Sequence, residues 1–152
     1  MPTRRTRTAE RPVPSSVVTI QGRHQPVAAA RIDRAVRLVL ARERRVASVS
    51  VSFVGAATMR RLNAAWKGHD RPTDVLSFSL VQPDGTLAGD VYVCRAVAER
   101  EARARRIPVR EELLRLVIHG TLHVLGWDHP ETEARIRSPM WKRQERYLAC
   151  LN

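Results

Sequence analysis

Between Ser16 and Asn152 the apolar positions alternate between the period of a strand and the period of a helix. SVVTIQ (16–21) predicts a strand, and PVAAARIDRAVRLVLARERR (26–45) a long amphipathic helix with Ile32, Ala35, Val36, Val39 and Leu40 along one side. ASVSVSFVG (47–55) repeats at period two, which turns Val49, Val51 and Phe53 one way and the serines the other. AATMRRLNAAW (56–66) predicts a short helix. TDVLSFSL and LAGDVYVC, joined through the turn sequence PDGT, predict a hairpin. RAVAEREARARR (95–106) predicts a further helix. Pro108 then opens REELLRLVIHGTLHVLG, with Glu111 and Glu112 in a first turn where the helix dipole favours carboxylates. Its LLRLVI segment is apolar apart from Arg115, so this helix is expected to run through or along the core. A last helix is expected from about Glu131, broken or kinked near Pro139. The sum is an α+β fold with a mixed sheet of about four strands packed with several helices.

At 152 residues the chain suits one domain. Residues 15–152 are expected to form it, and residues 1–14, with Arg4, Arg5, Arg7, Arg11 and prolines, to form a flexible basic arm. That arm reads either as an electrostatic tether to RNA or as a solvated tail. No apolar run approaches the ~18 residues of a membrane span. The basic N-terminus lacks the apolar stretch of a secretory signal, so a cytoplasmic location is expected and no membrane role. Cys94 and Cys150 form no disulfide framework and are expected to be buried thiols.

Charge sharpens the picture. Lys plus Arg number 27 against 15 Asp plus Glu, a net charge of +12, and only Lys67 and Lys142 are lysines. Such a balance favours a polyanionic partner, and arginine suits phosphate and stacks on bases. Residues 95–110 carry six arginines and two glutamates, either an RNA-facing surface or a solvated one.

The chemistry concentrates in HGTLHVLGWDH (119–129), which holds three of the five histidines. His119 and His123 are four residues apart and project within about 40° of each other on one helix face. Two imidazoles so placed can chelate one ion. In a continuous helix His129 would lie ~9 Å along the axis and about 120° away, out of reach. Gly126 is the residue that ends helices through the left-handed conformation, letting the chain double back and bring His129 to the same ion. Three histidines with a vacant fourth position suit a catalytic zinc, although nickel, copper or iron also bind imidazole. The plain alternative is a core helix whose histidines bond to backbone. Asp128 either orients a ligating imidazole or caps the following helix, as Thr132 also can.

The spacing H-x-x-x-H-x-x-G-x-x-H is that of the metzincin proteases, whose second position is a glutamate base. Here that position is Gly120, which disfavours peptide hydrolysis by that route. A bound metal still lowers the pKa of water to ~7 without a protein carboxylate. Cleavage of RNA, whose 2′-hydroxyl is an internal nucleophile, fits better.

HGTLHVLGWDH resembles the H-G-x-L-H-L-x-G-Y/W-D-H signature of the YbeY family of bacterial rRNA maturation factors, with Val124 replacing the usual leucine. LNAAWKGHDRPTDVLSF resembles that family's L-N-x-x-Y/W-R-x-x-D-x-x-T-D-V-L-S-F block, and AGDVYVC its G-D-I-x-I-C strand. The resemblance covers roughly residues 46 to 150. It implies a zincin-like metal-dependent hydrolase fold with one zinc ion held by His119, His123 and His129. It implies a single-strand-specific endoribonuclease acting in late 16S rRNA 3′-end maturation and ribosome quality control. Implied partners are rRNA in the small ribosomal subunit, small-subunit ribosomal proteins and the Era GTPase. Lys67 stands where the family carries an arginine important for cleavage; lysine keeps the charge and loses the bidentate grip on phosphate.

Two alternatives follow: a non-catalytic rRNA-binding assembly factor with a structural metal site, and another hydrolase such as a peptidase or esterase. Thr73 and Asp74 either cap backbone or line the metal cleft. Asn63 and Trp66 either touch a base or belong to the packing of their helix. His24 and His69 are expected on the surface.

Overall fold

The computed structural model describes residues 15–22 and 27–152. The strand and helix patterns materialise in order: β1 (Val17–Gln21), α1 (Ala29–Arg42), β2 (Ala47–Val54), α2 (Ala56–Lys67), β3 (Val75–Val81), β4 (Leu87–Cys94), α3 (Arg95–Arg105), α4 (Val109–Val124) and α5 (Pro139–Ala149). A short 3-10 turn, Glu133–Arg137, precedes α5. The basic arm and His24 lie outside the described residues. The four strands form one mixed sheet in the order β1-β2-β4-β3, with β1, β2 and β4 parallel and β3 antiparallel at one edge. Together these give the α+β, zincin-like architecture anticipated from the motifs.

Alternation along the strands builds two layers of packing. Val49, Val51 and Phe53 of β2 and Val91 and Val93 of β4 bury against the apolar side of α1 and against α4 and α5. All five apolar positions expected on one side of α1 are buried there. On the other face of the sheet, Leu76 and Cys94 pack with Met59 of α2 and Val97 of α3.

Two expectations need correction, and one open reading is decided. Pro139 does not break a helix but starts α5, where its missing N–H costs nothing; Ser138 caps that end by accepting the Trp141 amide at 3.2 Å. Cys150 is exposed just past the end of α5, whereas Cys94 is buried. Of the two readings of Trp66, burial in the packing of its helix is not met: at the last turn of α2 it is 68% exposed.

The helix α4 is buried along most of its length and lies unusually close to the sheet. A Cβ on Gly120 would come within 2.4 Å of Val91 Cγ1 and 3.0 Å of Ser77 Oγ, and one on Gly89 within 2.3 Å of Val124 Cγ1. Ser77 Oγ uses that proximity to donate to the Gly120 carbonyl at 3.1 Å. Gly120→Ala is therefore expected to lower stability by about 1–3 kcal/mol, because overpacking outweighs the better helix propensity of alanine. Urea denaturation of the two proteins measures this; an alanine variant as stable as the parent rules out the close contact.

Candidate metal centre

The helix α4 ends as its sequence requires. Gly126 takes φ +96°, a conformation open to glycine, and its amide bonds to the His123 carbonyl at 2.9 Å. The next amide, of Trp127, bonds back to the Leu122 carbonyl at 3.0 Å, so the pair forms a Schellman closure. The chain thereby reverses within three residues and returns His129 to the face that carries His119 and His123.

The three Nε2 atoms converge. They lie 3.1 Å apart between His119 and His123, and 3.2 Å apart for each of the other two pairs. Each Nδ1 faces an acceptor: Gln144 Oε1 at 2.6 Å from His119, the Trp127 carbonyl at 2.9 Å from His123, and the Pro130 carbonyl at 2.9 Å from His129. The Nδ1 proton is thus donated outward in all three rings, and three Nε2 lone pairs point at one another with no hydrogen between them. Such an arrangement is repulsive unless a cation sits among the three. Zinc–nitrogen bonds of ~2.0–2.1 Å at tetrahedral angles place ligand nitrogens ~3.3 Å apart, close to what is found. The cluster of His119, His123 and His129 could hold a metal ion.

Electrostatics prepare the rings for that task. Burial, reinforced by the neighbouring His123, pushes the His119 imidazole down to about 4. Burial and the adjacent His129 lower His123 as well. These two rings, His119 and His123, are thereby biased toward the neutral form that a metal requires.

The histidines lie in a cleft of about 670 Å³. Lys67, at the end of α2, Arg71, in the loop that follows, and Arg135, in the 3-10 turn, line the same cleft. Gly68, at φ +72°, ends α2 immediately after Lys67. Buried Asn63 then holds the following loop by donating to the Arg71 carbonyl at 2.8 Å, so its amide serves the backbone and not a base. Thr73 and Asp74 both line the cleft; Asp74 also accepts the Val75 amide at 2.8 Å, combining the two duties anticipated for it. His69 is exposed on the rim. Of the arginine run 95–110, Arg105 alone among the described residues lines the cleft.

Two contributors escaped the sequence reading. Asp128 does not orient an imidazole; its carboxylate accepts the backbone amide of His129 at 2.8 Å. Gln144, on α5 and 25 residues from His119, does the orienting instead. No spacing rule joins residues on different helices, so only the packing of α5 on α4 discloses it. Glu43, at the end of α1, accepts from Trp127 Nε1 at 3.1 Å, from Tyr147 Oη at 2.5 Å and from Arg143 at 3.0 Å. It thereby ties down the turn whose carbonyl holds His123.

The His119 shift sets a pH dependence for the metal-free chain. The folded protein keeps this ring neutral down to about 4, whereas the unfolded chain protonates it near 6.5. Between those values the unfolded state binds more protons, so stability falls on acidification, by about 2–3 kcal/mol across the window. Urea midpoints of chelator-treated protein at pH 7 and pH 5 test this, and His119→Phe should flatten the difference. In the same spirit, Gly126→Ala is expected to strain the reversal and weaken zinc binding, measured by competition with a chromogenic chelator.

Comparison with known proteins agrees with this construction. The family model described as Endoribonuclease YbeY matches residues 18–152. The Endoribonuclease YbeY of Thermotoga maritima is 40% identical over 100 residues, covering 66% of this chain and 65% of that relative's own length. The protein of the same name from Persephonella marina is 38% identical over 89 residues, 56% of this chain and 58% of the relative. The solution structure of TM1509 from Thermotoga maritima superposes with a TM-score of 0.61 at 30% identity, covering 89% of each chain. A match that runs from the first strand to the last residue, over a shared fold, makes this chain a member of the YbeY family.

Proposed function

We propose that the chain is a zinc-dependent endoribonuclease specific for single-stranded RNA, with His119, His123 and His129 as the metal ligands and residues 15–152 as one metallo-hydrolase domain. The observation that carries the reading is the convergence of three imidazole lone pairs in a cleft rimmed by cations. When bound there, zinc supplies Lewis acidity toward a phosphoryl oxygen and makes water a better nucleophile at neutral pH. The chain supplies the rest. Gln144 and the Trp127 and Pro130 carbonyls hold the three rings in the tautomer that points Nε2 inward. Lys67, which forms no ion pair among the described residues, stands free on the rim to hold the scissile phosphate and offset charge gathering on it. Arg71 extends the same positive rim for the flanking backbone. Trp66, exposed next to Lys67, offers its indole to an unpaired base.

Gly120 bears on the choice of substrate. The contact with Val91 leaves no room for a carboxylate at that position, so no general base stands where a metzincin protease has one. A phosphodiester with its own 2′-hydroxyl has less need of one. Net charge of +12 and the resemblance to rRNA maturation factors extend the reading to late 16S rRNA 3′-end maturation and ribosome quality control in the cytoplasm. On that reading the partners are rRNA of the small subunit, its ribosomal proteins and the Era GTPase. Among the described residues no helix is long and apolar enough to cross a membrane.

The test is cleavage of labelled RNA by zinc-loaded protein. Single-stranded RNA should be cut and duplex RNA spared. His119→Ala and His123→Ala should each abolish cutting while circular dichroism stays unchanged. Lys67→Ala should lower the rate by ~10²-fold, and Lys67→Arg should preserve it. Cleavage that persists in both histidine variants marks a contaminating nuclease and removes the proposal. RNA affinity without metal-dependent turnover selects the assembly-factor alternative.

A further inference from the structure

From one metal-site histidine a string of side chains runs across two helices. His119 Nδ1 donates to Gln144 Oε1 at 2.6 Å, and Gln144 Nε2 donates to Glu145 Oε1 at 3.0 Å. Arg115 grips both oxygens of Glu145, at 2.8 and 3.3 Å, and reaches Glu112 at 2.7 Å. Gln144 is 1% exposed and Glu112 is 3% exposed, so neither has water to fall back on. Glu145 and Arg115 leave Gln144 one orientation. Its N–H side is committed to a carboxylate, so its carbonyl oxygen must face His119.

Gln144 and Glu145 belong to α5, whereas His119, Arg115 and Glu112 belong to α4. The orientation of a metal-site ring on one helix is therefore set by the docking of another. The other two rings are held directly by backbone carbonyls of their own turn, at Trp127 and Pro130, and not by a side chain of another helix.

We infer that Gln144 is a positioning residue that couples metal occupancy to the docking of α5 on α4. The inference rests on His119 being a ligand. A cation on Nε2 makes Nδ1–H a stronger donor, which tightens the bond to Gln144 and so the hold of α5. Linkage makes the effect reciprocal: α5 docked through Gln144 raises metal affinity by the same factor that metal raises the docking constant. Leucine at 144 keeps the volume and removes the acceptor. Glutamate keeps an acceptor toward His119 while giving up the donor to Glu145.

The test uses the full chain and zinc, with two readouts that do not involve RNA. Chelator competition should show zinc binding about 10- to 100-fold weaker in Gln144→Leu, with Gln144→Glu close to the parent. Hydrogen exchange should show zinc slowing the amides of both α4 and α5 in the parent. In Gln144→Leu, zinc should slow α4 but no longer α5. Two results overturn the inference: parental zinc affinity in Gln144→Leu, or zinc protection of α5 that survives that substitution. A Gln144→Leu chain that fails to fold transfers the test to Glu145→Ala. That change frees the amide to rotate and should lower zinc affinity in the same direction; unchanged affinity there also overturns it. If the unaltered chain binds no zinc, or if His119→Ala binds it as well as the parent, the metal-site reading itself fails. A null result confined to position 144 leaves that reading intact.

Discussion

The depth at which α4 sits in the molecule governs the rest. At Gly120 the helix backbone approaches Val91 and Ser77 so closely that a single added carbon would collide with the sheet, and Gly89 makes the same demand from the strand side. Because one face of α4 presses against the sheet, the face bearing His119 and His123 is fixed in direction as well as position. Close packing resists the small translations that would spread the two rings. The depth of the helix is therefore part of the geometry of the candidate metal centre.

Two further constraints convert that placement into a site. Gly126 reverses the chain immediately past the helix, and the carbonyl of Trp127, exposed by the reversal, becomes the partner of His123. Glu43 then holds Trp127 from α1, 84 residues away, while Gln144 holds His119 from α5. Helices that flank α4 thus each supply one polar anchor, and burial lowers the proton affinity of the rings they orient. Folding and the readiness of the site for a cation are in this sense one event: the packing that excludes water also neutralises the imidazoles.

What was legible in the chain divides along the distinction between local and distant order. Periodicity located the strands and helices, and the apolar side of α1 was readable residue by residue, because both follow from neighbours in sequence. The histidine trio and its glycine turn were legible for the same reason: eleven consecutive residues contain the pair, the reversal and the third ring. Gln144 and Glu43 were not legible, since nothing in their own surroundings distinguishes them from other polar residues on amphipathic helices. Trp66 left two readings open. Its helix is amphipathic, but the ring stays largely exposed, tilted against Phe78 of β3 with 5.5 Å between ring centroids. Asp128 misled because adjacency to His129 in sequence suggested contact with the ring, whereas its carboxylate folds onto the backbone amide.

Gly120 links packing to chemistry more directly than any other residue. A metzincin places its general base at that position, one residue past the first histidine. In this chain the same position is consumed by the approach of helix to sheet, so the carboxylate is excluded by volume before any question of mechanism arises. A site built this way has three imidazoles that could hold a metal ion, cations lining the same cleft and no carboxylate at the metzincin position. It is poorly matched to an amide, whose hydrolysis needs both an activated nucleophile and a proton for the leaving nitrogen. It is better matched to a substrate that carries its own nucleophile and whose leaving oxygen departs more readily. Single-stranded RNA has the first property in its 2′-hydroxyl, and its unpaired bases and flexible backbone let that oxygen reach alignment with the phosphorus. On the proposed reading, the steric contact at the helix–sheet interface would favour RNA over peptide, and Lys67 and Arg71, which line the same cleft, would add affinity for its phosphates.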